Sequence, residues 1–182
     1  GGHLNPLSYA RGMARAVIQE GGHIFTRSKV NEVEKVKSGW SVKTDKGSVL
    51  ADKVIMCTGA YTDGGWKGLD KTFSIQKVFV AATNPMPKEV CKKVLPFNGT
   101  MHDGRSDIFV YKYDGNGRLV VSMFPIGKRG KDQIYTKKIL LDRLRWLHPS
   151  IPKDTIWEYY WFGELDMQHQ TIPRLYKLAP GV

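Results

Sequence analysis

Three consecutive residues, Thr58, Gly59 and Ala60, form the segment best suited to bind a cofactor through its backbone. They directly follow the consecutive apolar residues at positions 54–57. A glycine at such a corner lets a ligand approach the backbone closely, and amide groups at a turn can face a phosphate or a ribose. The pattern therefore predicts a dinucleotide contact, with a tight turn of purely structural role as the alternative.

The cysteine and histidine side chains are poorly placed for metal binding. Cys57 and Cys91 are far apart in the sequence, without CxxC spacing and without a histidine cluster near either. Zinc sites and disulfide frameworks need closely spaced ligands or paired cysteines, so we predict neither and expect both thiols to be buried and reduced. We assign structural roles to three histidines, which are His102, His148 and His169.

The basic residues outnumber the acidic ones by 28 to 17, which gives a formal charge of +11. Such a charge favours the binding of polyanions or of a phosphate-bearing cofactor. The cations cluster only at positions 127–131 and at Lys137 and Lys138, without interleaved aromatic residues that would stack on bases. We therefore predict a solvated basic face and no nucleic-acid partner.

The composition, with 41% hydrophobic and 25% charged residues, is that of a globular protein. No run of about 18 apolar residues could span a bilayer, and the first residues lack the regions of a signal peptide. We predict a cytoplasmic protein with no membrane span.

The elements that position the corner begin with an amphipathic helix. Asn5 can cap free amides, Pro6 is favoured at the first helical position, and apolar residues follow at helical spacing until Gly21. Short extended segments or strands are predicted next, at residues 23–26, 30–36, 40–44 and 48–51.

Residues 53–57 differ from these strands because their apolar side chains are consecutive. This pattern is typical of a strand that is covered on both faces, as in a parallel sheet. The sequence therefore predicts an inner parallel strand that ends at Thr58.

The second half of the chain predicts an antiparallel sheet with helices. Alternating residues flank the glycine-rich turn at 114–117, which indicates a β-hairpin. The other predicted elements are helices at 87–95 and 133–147 and strands at 77–83 and 155–162. We predict a mixed fold, α/β and α+β, with the crossing between two domains in the loop at residues 63–66.

Several segments carry a family resemblance through their order and spacing. They are HLNPLSYARGMARAVIQEGGHIFTRSKVNEVE, CTGAY, AATNP, Asp103-Gly104-Arg105, Gly117-Arg118-Leu119 and WFGELDMQHQTIPRLYKLAPGV. In this order they resemble the FAD-dependent oxidoreductases of the D-amino-acid-oxidase-like superfamily, and within it the gamma-glutamylputrescine oxidase and glycine oxidase types.

This resemblance implies a partial FAD-binding, Rossmann-like domain at residues 1–70, a substrate-binding α+β domain at 71–165 and a return segment at 166–182. The G-x-G-x-x-G turn that binds the FAD pyrophosphate in the family is absent from the 182 residues. We therefore expect a central fragment whose full-length parent binds FAD, whereas the fragment alone lacks the cofactor and is inactive.

The resemblance also implies a reaction and a cofactor site. Family members transfer a hydride from the carbon that bears an amine to N5 of the flavin, without a need for a side-chain base. Val30 corresponds to a valine that contacts the adenine, and Thr58, Gly59 and Ala60 correspond to a corner near the flavin. His3 lies in a part that resembles a flavin-proximal loop, or it is simply exposed.

The substrate, an amine or an amino acid, would contact the second domain. Arg105 could hold a carboxylate through its guanidinium, with a structural ion pair as the alternative. Aromatic candidates, for which ordinary sheet packing is the alternative, are Tyr111, Tyr113, Tyr160 and Trp161. A non-catalytic, truncated binding or interaction module is the alternative function.

Overall fold

The computed structural model describes residues 2–63, 65–124, 132–168, 172 and 174–182. The basic cluster at 127–131, His169 and the residue at position 64 in the expected domain crossing lie outside the described residues. The helices are α1 (Pro6–Gln19), α2 (Lys88–Lys93) and α3 (Gln133–Leu147). The strands are β1 (Val30–Val36), β2 (Gly39–Thr44), β3 (Gly47–Ala51), β4 (Ser74–Thr83), β5 (Thr100–His102), β6 (Val110–Tyr113), β7 (Leu119–Met123) and β8 (Trp157–Met167).

The chain divides into two compact units. One, here the sheet unit, comprises Gly1–Ala10 and Lys77–Gly163; the other, here the meander unit, comprises Arg11–Gln76 and Glu164–Val182. Each unit therefore contains two separate stretches of the chain. The assignment of a flavin-binding and a substrate domain to residues 1–70, 71–165 and 166–182 stays a prediction.

The meander unit contains the antiparallel sheet β1-β2-β3, with Trp40 opposite Ala51. Trp40 is buried and donates from Nε1 to the carbonyl of Pro180 at 3.3 Å. The neighbouring Gly181 has a φ of +89°, and a Cβ there would lie 3.0 Å from both Trp40 Nε1 and the Asp52 carbonyl. Glycine is thus required where the C-terminal residues contact the meander.

The sheet unit has a five-stranded sheet in the order β5-β6-β7-β4-β8. The β6-β7 hairpin pairs Tyr111 with Val121, as alternation around the 114–117 turn predicts. Alternate residues of both strands are buried, and they pack with α3 in one hydrophobic core. The largest fully buried side chains of this core are Phe109, Leu119, Val121, Leu140, Leu144 and Val94.

The prediction of an inner parallel strand at residues 53–57 is wrong. These residues have no strand geometry, and Ile55 is 85% exposed. Val54 donates from its amide to the carbonyl of Gly181 at 2.8 Å, but no described strand pairs with the segment. A parallel strand is held by neighbours on both sides, so an apolar run alone does not form one.

Two further predictions are wrong. Residues 23–26 form no strand, because no described strand pairs with them, and Phe25 is 71% exposed. Cys57 is an exposed thiol, since the segment that carries it is not inside a sheet. Cys91 is partly buried, and both cysteines are free.

Candidate functional site

The corner at Thr58, Gly59 and Ala60 is an ordered turn of 3-10 helix spanning Gly59–Tyr61. Gly59 has a φ of +54°, a conformation that glycine adopts without steric strain. The Thr62 hydroxyl donates to the Gly59 carbonyl at 2.8 Å and lies 2.5 Å from the Thr58 hydroxyl. These hydrogen bonds fix the backbone of the corner from one side.

The other side of the corner is open. Thr58 and Gly59 are exposed, whereas Ala60 is buried at 6% exposure. A Cβ at Gly59 would meet nothing nearer than Asp166 Oδ1 at 4.0 Å, so a polar group of a ligand can approach this backbone. The corner fits one contact with a dinucleotide, but the glycine-rich turn that binds a pyrophosphate is not among the 182 residues.

Val30 begins β1, where it is half-buried opposite Thr44. The next residues along the strand line a cavity of about 610 Å³ together with Trp40 and Trp66, whose ring centroids are 5.6 Å apart. Val30 itself does not line this cavity. Its expected contact with an adenine stays a prediction.

Two of the residues predicted to contact the substrate, Arg105 and Tyr111, line one cavity of about 210 Å³ in the sheet unit. Tyr113 lines another cavity of about 320 Å³, next to Cys91. Tyr160 instead stacks on Phe79 at 5.7 Å between centroids. Trp161 is 46% exposed.

Tyr111 and Tyr113 lie on the face of the sheet that α3 covers, and they are 3% and 8% exposed. The Tyr111 hydroxyl forms a hydrogen bond of 2.6 Å with Nε2 of His148. Burial raises the pKa of both tyrosine hydroxyls and of Tyr160, and it lowers the pKa of His148. These groups are therefore neutral, and core packing accounts for Tyr111 and Tyr113.

The two arginines beside the 210 Å³ cavity have different surroundings. Arg143 pairs with Asp107 at 2.6 Å, and its guanidinium lies 5.3 Å from the Phe109 ring centroid. Arg105 lies 3.7 Å from Asp103, and its side chain is 55% exposed. Arg105 therefore retains hydrogen-bond donors for a ligand, whereas Arg143 is anchored.

Sequence reasoning missed the opposite face of the hairpin, where side chains are half-buried and not covered by α3. Lys112 lies there opposite Val120, and Ser122 lies opposite Val110. The Lys112 ammonium donates to the carbonyl of Leu4 at 2.8 Å. Side chains along β6 and β7 alternate between the two faces of the sheet. This alternation could have assigned Lys112 and Ser122 to the face opposite Tyr111 and Tyr113.

The remaining predictions concern histidine, metal and membrane sites. His3 is exposed and its Nε2 donates to the carbonyl of Asn98 at 2.8 Å. Across the described residues, no group of three or more histidine, cysteine, aspartate or glutamate side chains is placed to bind a metal ion. None of the helices described in the structure has the length and apolar character to cross a bilayer, and a cytoplasmic location stays a prediction.

The family model described as FAD-dependent oxidoreductase matches residues 1–182. Among curated proteins, the chain is 26% identical to a probable oxidoreductase OrdL of Haemophilus influenzae and 25% identical to gamma-glutamylputrescine oxidoreductase of Escherichia coli. Both matches include 100% of this chain and 42% of the relative. The chain thus spans less than half the length of these relatives.

Solved structures share the fold at low sequence identity. Glycine oxidase from Geobacillus kaustophilus matches with a TM-score of 0.64 and 18% identity, over 91% of this chain and 43% of that protein. A geranylgeranyl bacteriochlorophyll reductase-like protein from Thermoplasma acidophilum matches with a TM-score of 0.58 and 17% identity, over 87% and 41%. The predicted fold class, α/β and α+β with a partial Rossmann-like domain, is confirmed.

Proposed function

The chain belongs to the family of FAD-dependent oxidoreductases, and from this membership we propose that it is the central part of an enzyme that oxidises an amine or an amino acid. The names of two similar proteins support this class, since one contains gamma-glutamylputrescine and the other glycine. FAD supplies the hydride acceptor when it is bound. The protein residues then have to hold the cofactor and position the carbon that bears the nitrogen.

The exposed corner at residues 58–60 is the main structural support for a bound FAD. Thr58 and Gly59 present backbone that a cofactor can approach, and the Thr62 hydroxyl holds this backbone in place before any ligand binds. Ala60, buried beneath them, anchors the turn. We propose that these three residues and Val30 contact FAD in the full-length protein.

The two faces of the β6-β7 hairpin differ in burial, and this difference indicates where the substrate binds. Because α3 covers the face with Tyr111 and Tyr113, we propose that the substrate lies against the α3-free face, near Lys112 and Ser122. The half-buried surroundings and the nearby Lys112 ammonium disfavour a second positive charge and so favour a neutral amine, which releases hydride more readily than an ammonium. Substrate contacts for five residues remain predictions, and these are Arg105, Tyr111, Tyr113, Tyr160 and Trp161.

The partly exposed apolar run at 54–57 supports a longer parent protein. Ile55 is 85% exposed, and the curated relatives are more than twice as long as their matched part. We propose that flanking polypeptide of the parent packs on residues 53–57 and provides the glycine-rich turn for the pyrophosphate.

The test uses the full-length protein with its natural flanking regions. We expect flavin absorbance after purification and bleaching of that absorbance when a series of amines and amino acids is added without oxygen. A protein that is colourless and does not bind added FAD would reject the proposal. It would favour the alternative, a non-catalytic interaction module that uses its exposed apolar residues.

The corner is tested by Gly59→Val in that protein. A branched side chain strains a φ of +54° and occupies the open space, so we expect FAD affinity to fall by about tenfold or more. Gly68→Val is the matched control, because Gly68 also has a positive φ and no atom within 4 Å of its Cβ position. Equal losses in both variants, or none in Gly59→Val, would contradict the assigned contact.

A further inference from the structure

The cavity of about 210 Å³ in the sheet unit, here the Arg105 cavity, lies on the α3 side of the sheet. Its walls include Phe109 and Tyr111 near the sheet and Arg143, Trp146 and Leu147 on α3. A more open cavity of about 460 Å³ shares Arg105, Arg143 and Trp146 with it. The two cavities therefore adjoin, and the shared residues lie where the inner one meets the outer one.

The size and lining of the Arg105 cavity suit a single six-membered ring. Cavities of about 150 Å³ that are lined by apolar residues bind benzene. Phe109 is 1% exposed and Tyr111 3% exposed, and Leu147 is packed against the same core. Trp146, in contrast, is 70% exposed, so its indole is free to cover a ligand at the entrance.

The charged side chains around the cavity form ion pairs, and the longest of these pairs joins Arg105 to Asp103, which also lines the cavity. Asp107 pairs with Arg143 at 2.6 Å, and Lys138 pairs with Asp142. Asp103 accepts the Phe109 amide at 2.8 Å through Oδ1. These carboxylates are therefore already compensated by cations or amides.

Arg105 has the loosest pairing in this group. Its distance of 3.7 Å to Asp103 is beyond hydrogen-bond range, and its side chain is 55% exposed. A guanidinium with such loose pairing can donate two parallel N–H hydrogen bonds to a carboxylate. Arg105 thus lies beside a ring-sized cavity that has both apolar and charged lining residues.

We propose that the Arg105 cavity binds a small aryl carboxylate, with the ring against Trp146 and Leu147 and the carboxylate on Arg105. The site is separate from the substrate position proposed above, because Lys112 and Ser122 lie on the other face of the hairpin. It therefore does not rest on amine oxidation, and it needs no flavin.

The binding test is isothermal titration calorimetry of the full-length protein with phenylacetate. We expect saturable one-site binding and a change in tryptophan fluorescence from Trp146. Acetate, which lacks the ring, and 2-phenylethanol, which lacks the charge, should each bind about tenfold more weakly or worse. Equal binding of acetate, or no saturable binding of phenylacetate, would overturn the proposal.

Two variants locate the site. Arg105→Gln should weaken phenylacetate binding about tenfold or more, since hydrogen bonds to a charged group contribute strongly. Lys88→Gln, which removes an exposed charge on α2 of the same unit, should leave it unchanged. Unweakened binding in Arg105→Gln would overturn the proposal, and circular dichroism confirms that each variant is folded.

A flavin readout separates this proposal from the oxidation. Phenylacetate bound in the Arg105 cavity should leave the flavin absorbance spectrum of the full-length protein unchanged. A phenylacetate-induced flavin shift that survives in Arg105→Gln would place the ligand at the oxidation site and overturn the separate site. Loss of flavin binding in every form of the protein would affect only the oxidation proposal.

Discussion

Single residues in the sheet unit show how burial decides which charges can take part in binding. Arg143 and Arg105 lie beside the same cavity, yet Arg143 is 15% exposed with a carboxylate at 2.6 Å and Arg105 is 55% exposed. A buried guanidinium needs its partner to offset the loss of hydration, whereas an exposed one does not. Arg143 therefore maintains the fold, and Arg105 is available for a ligand.

Asp107→Ala should lower the free energy of unfolding by about 3 kcal/mol, because it leaves the Arg143 charge largely buried and unpaired. Glu89→Ala is the control, since its pair with Lys92 is 76% and 71% exposed and contributes less than about 1 kcal/mol. Urea denaturation measures both. Similar losses in the two variants would contradict the role assigned to burial.

The His148 imidazole predicts a pH dependence of stability. Because burial lowers its pKa from the ordinary 6.5, the unfolded chain binds the proton more tightly than the folded chain. The stability from the neutral imidazole is present above about pH 6.5 and is lost as the pH falls through the lowered folded-state pKa.

Thermal unfolding between pH 7.5 and 5 tests this expectation. His148→Asn should lose less stability over that range than the unchanged protein. His102→Asn, at an exposed position of β5, should lose as much stability at low pH as the wild-type protein, because His148 is still present. An identical pH profile for His148→Asn and the unchanged protein would exclude the imidazole as the cause.

Among the elements, α3 and the residues at 53–57 show opposite outcomes of pattern-based prediction. The bounds of α3 agree with the predicted helix at 133–147, because an N-cap at Asp132 and helical spacing of leucines are local signals. The apolar run at 53–57 indicates burial, but it cannot form a strand without neighbouring strands. Local signals thus specify helices better than inner strands.

Leu140→Ala in α3 should lower the free energy of unfolding by about 2–5 kcal/mol, because the side chain is fully buried and leaves a cavity in the core. Ile134→Ala on the same helix is the control, since that side chain is 83% exposed and should change stability by less than about 0.5 kcal/mol. Chemical denaturation distinguishes them. A small effect of Leu140→Ala would show that α3 does not cover the sheet.

At the scale of the whole molecule, exposed apolar residues occur in α1 and within residues 53–57. No residue of α1 is buried, and Ile18 is 59% exposed. A short helix without tertiary packing is marginally stable in water. These surfaces therefore support the proposal that the parent protein provides further polypeptide beside them.

Amide hydrogen exchange tests this proposal on the 182-residue chain and on the full-length protein. We expect α1 and residues 53–57 to exchange at least about tenfold more slowly in the full-length protein, because packing raises the free energy of local opening. The amides of α3, which is packed within its own unit, should exchange at similar rates in both. Unchanged rates in α1 would show that the flanking polypeptide does not pack on it.

The sequence by itself determined the amphipathic helices, the β6-β7 hairpin and the family, because these depend on periodicity, turn residues and ordered motifs within short stretches. It also singled out the glycine corner. Only the tertiary structure decided that Tyr111 and Tyr113 face α3, that Arg105 is open while Arg143 is paired, and that Ile55 and Cys57 are exposed. These properties depend on contacts between residues distant in sequence, and a local pattern contains no information on which partner is present.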